Sequence, residues 1–192
     1  MNEVNYLHRN LGISNVGENR VQQLLERYDK LDREGLELHF IGSLQTNKVK
    51  YIIDKVSLIH SLDSLRLADE IQKQAEKANS VARVLVEINS GNEENKGGIS
   101  PFEAERFCTD LQKYSLIQLC GFMTMAPRCE KKEDYYPYFD RTRKVAEKIW
   151  KSTLGYEGAP ILSMGMSESF EAAIEYGSTM VRIGRSMFAK DS

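Results

Sequence analysis

Short apolar stretches that end in glycine or amide residues recur along the chain, separated by longer stretches in which apolar residues return every three or four positions. The short ones are Ile13–Gly17, Leu38–Gly42, Val56–His60, Val84–Asn89, Leu119–Met123, Ile161–Gly165 and Met180–Gly184. Their length and β-branched content predict buried strands. The longer ones put Val21, Leu24, Leu25 and Tyr28 on one helical face and Ala68, Ile71, Ala75 and Ala78 on another. Tyr135, Tyr138, Phe139 and Thr142, continuing to Ile149, form a third face. A helical pattern of Val4, Leu7, His8 and Leu11 precedes the first strand. Ser100-Pro101-Phe102-Glu103 combines an N-cap residue, a proline for the first helical position and a capping-box glutamate. Ser167 stands before Phe170, Ala173 and Ile174 as an N-cap, with Gly177 placed to stop that helix.

Strand–helix alternation of this kind implies parallel strands covered by crossover helices, as in a (β/α)8 barrel or an open doubly wound sheet. Several strands run into polar or glycine-bearing segments: Gly17-Glu18-Asn19, Gly42-Ser43-Leu44-Gln45, Asn89-Ser90-Gly91, Met164-Gly165-Met166-Ser167 and Gly184-Arg185-Ser186. On a barrel these share one face, where function is built. Seven strands are one short of eight, and 192 residues fall below the ~200–250 of an ordinary barrel. The expectation is therefore an α/β fold: a (β/α)8 TIM-type barrel lacking its first strand, with seven parallel strands and surrounding helices. With no linker or change of composition, residues 1–192 read as one domain.

Composition narrows the partners. Apolar residues make up 41% of the chain, and 26 Lys and Arg stand against 28 Asp and Glu for a net charge of −2. That balance gives no overall attraction for nucleic acid or an anionic membrane surface. No apolar run approaches the ~18 residues of a membrane span, so a cytoplasmic location is the expectation. Cys108, Cys120 and Cys129 form no CxxC pair and read as reduced thiols. His8, His39 and His60 lack metal-ligand spacing, and no metal is expected.

The chemistry-bearing residues gather near the C-terminus. Leu162-Ser163-Met164-Gly165-Met166-Ser167, then a helix, then Val181-Arg182-Ile183-Gly184-Arg185-Ser186, has the make-up of an anion cradle: glycine admits a phosphate to the backbone while hydroxyls and amides donate to it. An N-cap plus two ordinary turns explains the same residues. Arg182 interrupts an apolar strand, and a buried guanidinium needs an acceptor. An internal carboxylate meets that need, and so does an aromatic ring nitrogen. Asn19 suits either a helix N-cap or a ligand-facing amide. The Met123, Met125, Met164 and Met166 side chains are expected to fill the barrel mouth. Lys48, the Asn95-Lys96-Gly97-Gly98 loop and the Glu130–Asp134 run read as solvated surface.

Gly17-Glu18-Asn19-Arg20-Val21-Gln22, His39-Phe40-Ile41-Gly42-Ser43-Leu44-Gln45-Thr46-Asn47-Lys48, Ile59-His60-Ser61-Leu62-Asp63, Leu162-Ser163-Met164-Gly165-Met166-Ser167 and Val181-Arg182-Ile183-Gly184 resemble the signatures of the pyridoxal phosphate homeostasis family, from about Val4 to Phe188. The resemblance implies a barrel of the alanine-racemase N-terminal type that binds pyridoxal 5′-phosphate (PLP) and helps regulate B6 vitamers and amino-acid pools, with no settled catalytic activity. By position it sets Asn19 beside the pyridoxal ring and Arg182 at the ring nitrogen. Ser163, Ser167, Gly184, Arg185 and Ser186 fall at the phosphate. Arg185 stands where threonine is frequent in the family. The family's first strand carries the Schiff-base lysine, and neither Lys48 nor Lys96 occupies that place, so bound cofactor is expected to be noncovalent. A racemase-like enzyme and an inactive truncated product are the alternatives. The resemblance implies a monomer, while the missing strand leaves open edges that favour self-association.

Overall fold

The computed structural model describes residues 3–93 and 97–184. Helix α1 (Glu3–Leu11) leads into β1 (Asn15–Glu18) and α2 (Val21–Tyr28), then β2 (Glu37–Phe40), a 3-10 turn (Thr46–Tyr51) and β3 (Leu58–Leu62). Helix α3 (Leu65–Ala78), β4 (Ala82–Ile88), α4 (Ala104–Leu111) and β5 (Ile117–Thr124) follow. A second 3-10 turn (Lys132–Tyr135) opens α5 (Tyr136–Lys148), which ends in a π-helical turn (Ile149–Thr153), and β6 (Ile161–Met166), α6 (Phe170–Glu175) and β7 (Met180–Arg182) complete the order. All seven strands stand where the apolar stretches put them. They are parallel, and their order in the sheet is their order in the chain.

Contacts across the interior show how far the sheet curls. Ser163 on β6 bonds His60 on β3, and Arg182 on β7 reaches the Thr124 carbonyl at the end of β5. Residues of α1, β1 and β7 line one cavity, so the two ends of the sheet face each other across a seam, and neither edge has a strand neighbour among the described residues.

The main core lies between the sheet and its helices, with Phe40, Ile59, Ile71, Val84, Val86, Phe122 and Phe139 all nearly inaccessible. Helix α3 shows how the chain secures one of these layers. The Ser64 hydroxyl accepts from the Leu67 amide at its start, Asn79 ends it in the left-handed conformation, and Leu67, Ala68, Ile71 and Ala75 are buried against the sheet. Two helix starts differ from expectation. Helix α4 begins at Ala104, because residues 101–103 wind a turn first and the Ser100 hydroxyl accepts from Phe102 rather than capping deeper. Helix α6 begins after Ser169, whose hydroxyl accepts from the Met166 amide, so Ser167 is not its N-cap. Gly177 stops α6 with φ of 86°, as its position suggested. Among the described residues no helix is long and apolar enough to cross a membrane.

Candidate ligand site

Inside the barrel the strands stack their inward side chains in layers. The lower layer is apolar: Leu58, Leu85 and Met123 pack together with Ile161 and Met180. Two residues further on, where side chains return to the same face of a strand, four of those five strands carry a polar group. Leu58 is followed by His60, Leu85 by Glu87, Ile161 by Ser163 and Met180 by Arg182. His39 of β2 joins this upper layer through His60, whose Nε2 lies 3.1 Å from its Nδ1. An apolar floor thus supports a polar layer below the C-terminal ends of the strands.

Arg182 is the centre of that layer. Its NH1 group donates to the carbonyl and the hydroxyl of Ser163, both at 2.7 Å, and its NH2 group donates to the Thr124 carbonyl at 2.9 Å. The acceptors are carbonyls and a hydroxyl, not a carboxylate. A guanidinium has five N–H donors, and the Nε–H and one NH2 hydrogen have no acceptor among the described residues. Burial lowers the Arg182 pKa to about 10, opposed by the charge of Glu87, so the side chain remains cationic at neutral pH. Burial and then Asp63 push Glu87 up to about 7. Burial, then His39 and Arg182, press His60 down to about 3, leaving it a neutral imidazole.

Above this layer opens a cavity of about 350 Å³ between β1, β2, β7 and α1. Arg182, His39 and His60 form part of its wall, with Asn19, Ser167 and Gly184 at the mouth and Val4, Leu7, Val16 and Val181 along the seam. Asn19 is exposed and does not cap α2. The Glu18 carboxylate instead accepts the backbone N–H groups of Asn19 and Arg20, at 2.8 and 3.4 Å, which leaves the Asn19 amide without a hydrogen-bond partner among the described residues. A Cβ on Gly42 would stand 2.0 Å from the Asn19 carbonyl, so only glycine lets the loop after β2 close on Asn19.

Of the residues singled out from sequence, Asn19, Ser167, Arg182 and Gly184 share this cavity. Ser163 lies behind it, fully buried, bonded to Arg182 and His60. Arg185, Ser186, Asn95 and Lys96 lie outside the described residues. Met125 and Met166 stand exposed at the mouth, whereas Met123 lies one layer deeper than Met125 in the apolar floor and Met164 packs in the core between sheet and helix. Sequence reasoning weighed His39 and His60 as metal ligands and as parts of motifs, without giving either a place in the site, and passed over Glu87. The signal was present: each is a polar residue at an inward position of an apolar strand.

The chain matches the family model of the alanine racemase N-terminal domain over residues 3–191. It is 48% identical over 182 residues to the pyridoxal phosphate homeostasis protein of Aquifex aeolicus, covering 94% of this chain and 78% of that one. It is 34% identical to the Escherichia coli protein of the same name, covering 92% and 76%. Among solved structures, PipY of Synechococcus elongatus with PLP bound superposes with a TM-score of 0.80 at 26% identity, over 90% of this chain and 80% of that one. The alanine racemase of Clostridium difficile shares the fold at a TM-score of 0.80 and 20% identity, over 98% of this chain and 48% of that one.

Proposed function

The chain belongs to the alanine racemase N-terminal-domain family, and from that premise we propose that it binds pyridoxal 5′-phosphate, noncovalently, as a noncatalytic protein of vitamin B6 and amino-acid homeostasis. The observation that carries the reading is Arg182, a cation rising from the apolar floor into the cavity with two donors unspent. A pyridine nitrogen offers one in-plane acceptor, which suits such a donor. Asn19, its amide free of capping, would contact the ring. Ser167 and the backbone at Gly184, together with Arg185 and Ser186 beyond the described residues, would hold the phosphate. Ser163 serves the same site from behind, by fixing Arg182.

The same arrangement argues against catalysis. PLP works as an electron sink when its ring nitrogen is protonated, and a guanidinium, which can only donate, holds that nitrogen unprotonated. Among the described residues lining the cavity there is no lysine, tyrosine, cysteine or carboxylate. The two imidazoles there are engaged in hydrogen bonds and hold their protons weakly. A racemase-like reaction needs a lysine and an acid or base over the ring. The reading extends to a small phosphorylated cofactor as the partner and to no nucleic acid or membrane.

Titrating the protein with PLP and following the cofactor's absorbance tests the proposal, with saturable one-site binding as the expected result. Borohydride reduction followed by mass spectrometry should leave the chain unmodified. A stoichiometric adduct on one lysine overturns noncovalent attachment, and absence of saturable binding overturns the cofactor reading altogether.

A further inference from the structure

The polar layer contains a chain of hydrogen bonds with a single consistent direction. Arg182 NH1 meets Ser163 Oγ at 2.7 Å, Ser163 Oγ meets His60 Nδ1 at 3.0 Å, His60 Nε2 meets His39 Nδ1 at 3.1 Å, and His39 Nε2 meets Glu37 Oε2 at 3.3 Å. The two ends fix the sense. Guanidinium can only donate and an ionised carboxylate can only accept. Ser163 Oγ therefore accepts from Arg182, and its one proton goes to His60 Nδ1, its only other partner among the described residues. A proton on His60 Nδ1 would instead leave the Ser163 hydroxyl without an acceptor at a position with no solvent access, at a cost of about 1–3 kcal/mol. With Nδ1 bare, neutral His60 carries its proton on Nε2 and donates to His39 Nδ1. His39 then donates from Nε2 to Glu37, which lies half exposed at the outer end of β2.

We propose that His60 and His39 are positioning residues for the ligand site. They act through Ser163 to hold the Arg182 guanidinium in one orientation, its spare donors turned to the cavity. The inference rests on the cofactor reading for its ligand, but the direction of the chain rests on geometry alone. Each group in the relay has one role: Ser163 presents a lone pair to Arg182 because His60 draws its proton away, and His60 does so because His39 accepts from its other nitrogen. Protonating either imidazole puts two N–H groups face to face at His60–His39 or removes the acceptor of Ser163. The burial of both rings opposes this, and so do Arg182 beside His60 and Arg83 near His39, while Glu37 favours a charge on His39.

Nitrogen-15 NMR of the histidines in the native chain, combined with PLP titration of the His60→Phe and His60→Gln variants, tests the proposal. The expected native spectrum shows His60 with Nδ1 unprotonated and Nε2 protonated, unchanged from pH 5 to pH 8. Phenylalanine fills the space but neither accepts nor donates, so His60→Phe should bind PLP about tenfold more weakly. Glutamine supplies an acceptor and a donor, so His60→Gln should recover most of that affinity. A His60 that carries its proton on Nδ1, or titrates near pH 6.5, overturns the relay whatever the cofactor does. Full PLP affinity in folded His60→Phe overturns the positioning role, as does a glutamine variant no better than phenylalanine. If the native chain shows the expected tautomers and binds no PLP, the relay stands, and the positioning role falls with the cofactor reading.

Discussion

Replacing Glu87 with glutamine should stabilise the protein at alkaline pH and change little under acid conditions. Glu87 stands in the polar layer almost without solvent, and its carboxyl holds a proton up to about 7 instead of 4.5, through burial first and the charge of Asp63 second. A group whose folded pKa is raised contributes stability that is complete below its unfolded value and is lost as pH climbs through the folded one. At about 1.4 kcal/mol per pH unit, the native chain gives up about 3 kcal/mol between pH 4.5 and pH 7 on account of this one carboxyl. Glutamine never ionises and has no such loss. The stability difference, variant minus native, should be constant below pH 4.5, widen to about 3 kcal/mol near pH 7, and level off above it. His60 titrates with the opposite sign, its depressed pKa giving stability above pH 6.5 that fades toward pH 3, but it is common to both proteins and cancels. Urea denaturation at half-unit steps from pH 4 to pH 8.5 measures the difference directly. A gap that does not vary with pH, or one that narrows as pH rises, would falsify the placement of a neutral Glu87 beside Arg182.

Other perturbations test the site and its scaffold. Arg182→Met keeps the aliphatic length without the donors and should weaken PLP binding at least tenfold in an absorbance titration, with native circular dichroism. Gly42→Ala drives a methyl group into the Asn19 carbonyl and should cost about 1–3 kcal/mol in a denaturant titration and loosen the cofactor as Asn19 shifts. The Cys108 thiol, buried and pushed up to about 12, should resist alkylation at pH 8 until the protein unfolds, whereas Cys120 and Cys129 react sooner. The edges of β1 and β7, which have no strand neighbour among the described residues, should give concentration-dependent self-association in sedimentation equilibrium; a monomer at every concentration removes that expectation.

The fold was legible because each strand is a compact apolar stretch and each main helix repeats with its own period, so β1 to β7 fell where pattern alone put them. Helix starts were less so. Ser100 and Ser167 both carry the composition of an N-cap, but whether a hydroxyl caps a helix or braces the turn before it depends on the path into the helix, which tertiary packing decides. The site was legible on one side only. Arg182 announced itself as a charge in an apolar strand, and Asn19 as an amide at a strand end. His39 and His60 are 21 residues apart, and Ser163 is 103 residues from His60, so no local spacing joins them. Only the curl of the sheet, with an inward residue at every second position, sets them in one layer. The resemblance set Ser163 at the phosphate together with Ser167, but the two hydroxyls take different places in the fold. Four positions along a strand and the turn after it are enough to carry Ser167 to the mouth and leave Ser163 in the polar layer behind the cavity.

Because the strand order repeats the chain order without a crossing, and β1 and β7 do not pair, each stave of this barrel is laced to its sequence neighbours alone. Such a sheet is topologically a ladder wound into an arc. Its β-pairings close loops no longer than one strand–helix–strand unit, which spares it the still slower search that joining the two ends of a chain entails. It also lets the sheet come apart from its ends inward. Amide exchange should accordingly be slowest in β4 and β5, whose pairing is the longest in the sheet, and quicken toward β1 and β7. Arg182 stands on the last of these strands and Asn19 just beyond the first, so a ligand that touches both would clasp the arc where it frays and slow exchange along its whole length.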